Sequence, residues 1–162
     1  MNNVNKLMIR FVIVSFMMTS CIFPHDDENR HSVIEMNNYS DKAIYVNIDA
    51  EYPDTSGRFI GDFDPFFKIS SHNKNSDILY MRYGWESFLR DKRQLPSDTL
   101  MIFMMDADIV ELHTNFKKAI IQRYDISLQD LQRLNWMLTY PPSESMKNVK
   151  MWPPYGSSIK YQ

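Results

Sequence analysis

The sequence predicts a mainly β, α+β chain: an antiparallel sheet or β-sandwich of about six or seven short strands with about two or three short helices. Three observations predict it. The apolar runs are only a few residues long and are bounded by turn clusters; the stretches of helical period are equally short; and strands and helices do not alternate as a βαβ repeat would. With 162 residues, 44% hydrophobic and 23% charged, the chain holds one core of ordinary size. No internal repeat is apparent, which excludes a solenoid or propeller.

The elements follow in order. Val33-Ile34-Glu35-Met36, the polar turn 37–42 and Ala43-Ile44-Tyr45-Val46-Asn47-Ile48-Asp49 read as a half-buried antiparallel hairpin, with Ile44, Val46 and Ile48 on one face. Residues 51–64 collect Pro53, Asp54, Ser56, Gly57, Gly61 and Asp62 and read as a long loop, before a short strand at Phe66-Phe67-Lys68-Ile69. A turn cluster at 70–76 precedes a strand at Ile78-Leu79-Tyr80-Met81. Trp85, Phe88 and Leu89 stand at i, i+3 and i+4, the spacing of an amphipathic helix that ends before Pro96. The continuous apolar run 99–105 reads as the central strand, covered on both faces. After a helical turn comes a strand at 119–124, then a helix at 128–134 whose Ser127 and Asp130 form a capping box with Asp in place of the usual Glu. A last strand at 136–140 is closed by Pro141-Pro142, and 143–162 reads as a Pro/Ser-rich tail, mobile or draped on the surface.

The first twenty residues are an address. Lys6 and Arg10 form a basic region before the apolar run 11–18, which is far shorter than the ~20 residues that span a bilayer. The run ends in Met18-Thr19-Ser20-Cys21, which resembles the lipobox of bacterial lipoproteins, and the chain's single Cys stands where the motif requires it. The resemblance implies cleavage before Cys21 and its lipidation, palmitate included; a plain secretory signal with an incidental Cys is the alternative. The expected division is therefore signal peptide 1–20, acidic tether 21–32, one β-rich domain 33–142 and the tail. A multiply acylated Cys21 anchors stably and leaves no thiol for a disulfide, a zinc site or a nucleophile. Asp26-Asp27-Glu28 is similar to the export signal of Bacteroidetes lipoproteins that reach the outer face of the outer membrane; the alternative is a solvated linker.

A set of short patterns runs along the domain: Asn37-Asn38-Tyr39-Ser40-Asp41-Lys42, Tyr52-Pro53-Asp54-Thr55, Trp85-Glu86, Pro96-Ser97-Asp98-Thr99-Leu100, Asp106-Ala107-Asp108, Arg123-Tyr124-Asp125 and Leu128-Gln129-Asp130-Leu131, leading to Tyr140-Pro141-Pro142. Together, over residues 33–142, they resemble a family of Bacteroides-type lipoproteins of unknown function. The resemblance implies an envelope address and a single domain. It implies no activity.

Chemistry is sparse. A net charge of −2 offers no basic field for phosphate backbones, so nucleic acid is excluded as a partner. Four glycines make no phosphate-cradling loop, and there is no Gly-x-Ser-x-Gly elbow to nominate a triad. The sharpest local cluster is Asp106, Asp108, Glu111 and His113, where an apolar strand delivers oxygen ligands suited to Mg²⁺ or Ca²⁺; the competing reading is that the two Asp cap a turn or helix. Aromatic residues outside the periodic runs, chiefly Phe63, Phe66 and Trp152, suit a recognition surface, or fold back over a sheet edge. The expected function is a non-enzymatic binding or interaction module without cofactor. It is held at the cell envelope by its lipid, with a glycan or envelope protein as partner. The alternative is a small metal-dependent hydrolase or transferase using the Asp106/Asp108 cluster.

Overall fold

Past Thr99, the run 100–105 leaves no polar side chain to face water, so it is stable only with both faces covered. In the computed structural model, which describes residues 30–56, 68–112 and 116–157, it becomes β5 (Leu100–Asp106), and every one of its residues is buried. Its neighbours are β2 (Ile44–Asp49) and β6 (Ile120–Ile126), both antiparallel to it. With β3 (Lys68–Ile69) beside β2 and β8 (Lys150–Trp152) beside β6, they make a five-stranded sheet in the order β3-β2-β5-β6-β8.

A second sheet has three strands, β4 (Asn73–Tyr80), β1 (Val33–Asn38) and β7 (Met137–Tyr140), with β1 in the middle. The fold is thus mainly β within the α+β class, as the sequence predicts. The β1–β7 pair is parallel, so this sheet is mixed. Four short helices stand among the described residues: α1 (Trp85–Arg90), α2 (Ala107–Glu111), α3 (Phe116–Ala119) and α4 (Leu128–Arg133).

Alternation along β5 builds two apolar clusters. Leu100, Ile102 and Met104 meet Val46, Tyr124 and Ile126 of their own sheet and Ile34, Met36, Leu79 and Leu138 of the other, so the main core draws on both sheets. On the opposite face Met105 packs with Tyr45, Ala107, Val110 and Ala119 under α2 and α3. The buried Tyr124 hydroxyl donates to Thr139 O at 2.6 Å, joining the sheets by a polar contact, and burial pushes the phenol pKa up. At α4 the capping box is complete: Ser127 Oγ accepts from Asp130 N at 3.1 Å, and Asp130 Oδ2 accepts from Ser127 N at 3.2 Å.

Three expectations are corrected. β1 and β2 form no hairpin, because each already has strands on both sides, β4 and β7 about β1, β3 and β5 about β2. The buried Asn38 makes the crossing between sheets: its Nδ2 donates to Lys42 O at 2.7 Å and Ser70 O at 3.0 Å, and its Oδ1 accepts from Ser40 N at 3.0 Å. Its side chain thus replaces the backbone pairing a hairpin turn would supply. Asn37, also buried, has no hydrogen-bond partner for its amide among the described residues, which costs about 1–3 kcal/mol.

Residues 143–157, expected in the tail, belong to the body. Met146 and Val149 are buried in the main core, and β8 extends the sheet along β6. Two apolar residues in a polar, Pro-containing stretch show no period, yet they suffice to seat it.

Residues 30–32, expected in the tether, are likewise docked. Ser32 O accepts from Met81 N and His31 O from Trp85 N, each at 2.8 Å. His31 N donates to both Glu86 carboxylate oxygens, at 3.1 and 3.0 Å, and its ring stacks on Trp136 at 4.3 Å. Gly84, at φ 80°, lets Arg30 pass: a Cβ there would lie 2.8 Å from Arg30 Cγ. No helix among the described residues is long and apolar enough to cross a membrane.

Candidate functional site

The carboxylate cluster comes first, since β5 delivers it. Asp106 ends the strand in extended conformation and caps α2, its Oδ1 accepting from Asp108 N at 3.0 Å. Its other oxygen accepts from Lys42 Nζ at 3.0 Å, and the same ammonium reaches Asp108 Oδ2 at 3.4 Å. These contacts, the Asp106 hydrogen bond first, hold the Lys42 pKa above the usual ammonium range. Glu111 lies one turn on and turns elsewhere, accepting from Lys68 Nζ and, at 3.4 Å, from the Tyr45 hydroxyl. The Lys68 hydrogen bond is the main reason its pKa lies below the usual carboxylate range.

Asp106 and Asp108 therefore converge on a lysine, and Glu111 joins a different one. Among the described residues no three His, Cys, Asp or Glu side chains form a set able to hold a metal ion. His113 lies outside the described residues, as do Cys21, Phe63 and Phe66. A pocket of about 330 Å³ beside Asp106, lined also by Ser40, Asp41, Lys42, Ile121 and Tyr140, carries one ammonium already taken up by the two aspartates.

A second site lies on the same sheet, on the face turned away from the main core. Cross-strand register places Asn47, Phe103, Arg123 and Trp152 in one row across β2, β5, β6 and β8. The row beside it is Asp49, Met101, Asp125 and Lys150. Arg123 reaches into that second row, donating Nε to Asp125 Oδ1 at 2.7 Å and Nη2 to Asp125 Oδ2 at 3.3 Å. The pair is nearly dry, with side chains 17% and 1% exposed, so the guanidinium is fixed against the sheet.

Over these rows opens a groove of about 500 Å³, lined by Phe103, Arg123 and Trp152 with Thr55, Ser56, Lys117 and Ile120. Its size is within the ~300–1,000 Å³ usual for small-molecule sites. Each wall has its own cause. Trp152 is 49% exposed because β8 is an edge strand, and Pro153 O accepts from Gln122 Nε2 at 3.0 Å, tying down the residue after it. Lys150 Nζ donates to the Tyr52 hydroxyl at 2.5 Å and lies 5.0 Å from the ring centroid, which brings the segment carrying Thr55 and Ser56 to the rim. Lys117 stands exposed on α3. Chemically the groove offers a half-exposed indole, two hydroxyls and two cations around an apolar floor.

Of Phe63, Phe66 and Trp152, expected in a recognition surface, Trp152 alone lies among the described residues, and it is in the groove. Lys117, Arg123, Thr55 and Ser56 were missed. The signal for Arg123 was present: in Ile121-Gln122-Arg123-Tyr124-Asp125-Ile126 the charges alternate with the apolar side chains of a strand. Lys117 and the two hydroxyls come from segments without period. No protein-family model matches the chain, and comparison with curated proteins and with solved structures finds no match either.

Truncating Asp106 to Ala should lower unfolding free energy in urea by about 1–2 kcal/mol, the loss of a helix cap. Millimolar Mg²⁺ or Ca²⁺ should leave the wild-type melting temperature unchanged. A rise in melting temperature with either ion that the Asp106→Ala variant lacks would restore the metal reading.

Proposed function

We propose that this chain is a non-enzymatic binding module, anchored through lipid on Cys21 at the bacterial cell envelope, and that its ligand is a glycan held in the Trp152 groove. The observation that carries the binding reading is the half-exposed indole in that groove, in one row with Arg123 and Phe103 and sharing the lining with Thr55 and Ser56. A flat aromatic face flanked by hydroxyl and cationic donors suits a sugar ring, whose C–H face stacks while its hydroxyls are hydrogen-bonded. The metal-dependent alternative has less behind it, because Asp106, Asp108 and Glu111 each give an oxygen to Lys42 or Lys68, and the other oxygen of Asp106 caps a helix.

The address rests on sequence: the basic and apolar leader, the lipobox-like Met18-Thr19-Ser20-Cys21 and the acidic trio Asp26-Asp27-Glu28 that favours export to the outer face of the outer membrane. The docking of residues 30–32 gives such a tether a firm root on the domain. From Cys21 to Arg30 the chain, fully extended at ~3.3–3.6 Å per residue, reaches about 30 Å from the bilayer.

Two measurements test this reading. Fatty-acid labelling in cells should mark the wild type and not Cys21→Ala; equal labelling of both refutes the anchor. On an immobilised panel of envelope and plant polysaccharide fragments, the full chain in detergent should bind at least one glycan. Trp152→Ala should weaken that binding about tenfold or more, the effect of losing a central aromatic contact. A wild type that binds no glycan, or a variant that binds as well as wild type, contradicts the reading.

A further inference from the structure

Among the described residues, the side chains that line the Trp152 groove include two cations, Lys117 and Arg123, and no carboxylate. That is unexpected on a chain whose acids outnumber its bases, 20 Asp plus Glu against 18 Lys plus Arg. The two cations are held differently. Arg123 is fixed by Asp125 through Nε and Nη2, which leaves the larger part of a five-donor guanidinium available to a second acceptor. Lys117 has neither an ion pair nor a hydrogen bond among the described residues, although Lys42, Lys68 and Lys92 each meet an acid. A preset planar fork beside an unpaired ammonium is suited to a carboxylate, which takes a bidentate pair from arginine and a point charge from lysine.

We infer that the groove takes an acidic glycan, a sugar bearing a carboxylate, with its ring on Trp152 and its carboxylate between Arg123 and Lys117. This rests on the glycan-binding reading and adds the charge of the ligand. Neutral sugars would satisfy the indole and the hydroxyls of Thr55 and Ser56 and leave Lys117 without a counterion and the remaining N–H groups of Arg123 without a charged acceptor. A uronic acid satisfies all of them, and the partial burial of Arg123 strengthens its attraction to an anion over that of a fully solvated side chain.

The test uses trigalacturonate and its fully methyl-esterified form, titrated calorimetrically into the full chain in detergent. The acid should bind about tenfold or more tightly than the ester, with affinity falling as salt rises. Lys117→Glu should cost the acid about tenfold or more and the ester clearly less, so that the preference for the acid collapses, while the same charge reversal at the distant, exposed Lys74 should leave both unchanged. Since Lys117 is exposed and unpaired, its replacement leaves the fold intact, which the melting temperature checks. Acid and ester bound equally, both lost in Trp152→Ala, would overturn the acidic ligand and leave the glycan site standing. Preference for the acid that Lys117→Glu does not change, or no binding of either probe, would also overturn it; the Trp152 panel result decides separately whether the glycan reading falls.

Discussion

Burial of β5 on both faces is the constraint from which the rest of the molecule follows. A strand of Leu, Met, Ile and Phe cannot present either side to water, and covering both requires unlike solutions. One face meets the three-stranded sheet, through Ile102 and Met104 against Ile34, Met36 and Leu138. The other is shared. At the Met105 end α2 and α3 close over it; at the Phe103 end no helix among the described residues does, and the groove opens there. The position of the candidate site is therefore set by how far the helical cover extends along one strand.

The same strand explains why the most conspicuous carboxylates are structural. Asp106 stands where β5 must stop and α2 must begin, so one oxygen caps the helix and the other takes Lys42 from the loop that brings β2 into the sheet. A carboxylate with both oxygens committed to protein donors is poorly placed to coordinate an ion. The groove is assembled differently. Arg123 and Trp152 come from successive outer strands in register, Lys117 from the helix before β6, and Thr55 and Ser56 from a segment that Tyr52 ties to Lys150. Nothing in it forms a motif along the chain.

That difference accounts for what the sequence made legible. β5 was readable because six apolar residues in succession, Leu100 to Met105, leave one interpretation, and α4 was readable because its cap is local, Ser127 and Asp130 three residues apart. The pairing of β1 was not, since alternation specifies a face and says nothing about the partner; only the satisfied edges of β1 and β2 forbid the hairpin. Met146 and Val149 were hidden by polar and proline neighbours, and β8, at three residues, is too short for a period. Asp106-Ala107-Asp108 drew attention because it is contiguous. Lys117, Arg123 and Trp152 meet only in space, and of the three an isolated aromatic near the C-terminus was the single visible sign.

Native-state hydrogen exchange tests the primacy of β5 most directly. If this strand is the shared wall of both clusters and of the groove, its amides from Leu100 to Asp106 exchange only by global unfolding. They are then the slowest in the protein, together with their partners in β2 and β6. Exchange of β5 amides through a smaller opening, ahead of those in β1 or α4, would contradict the account.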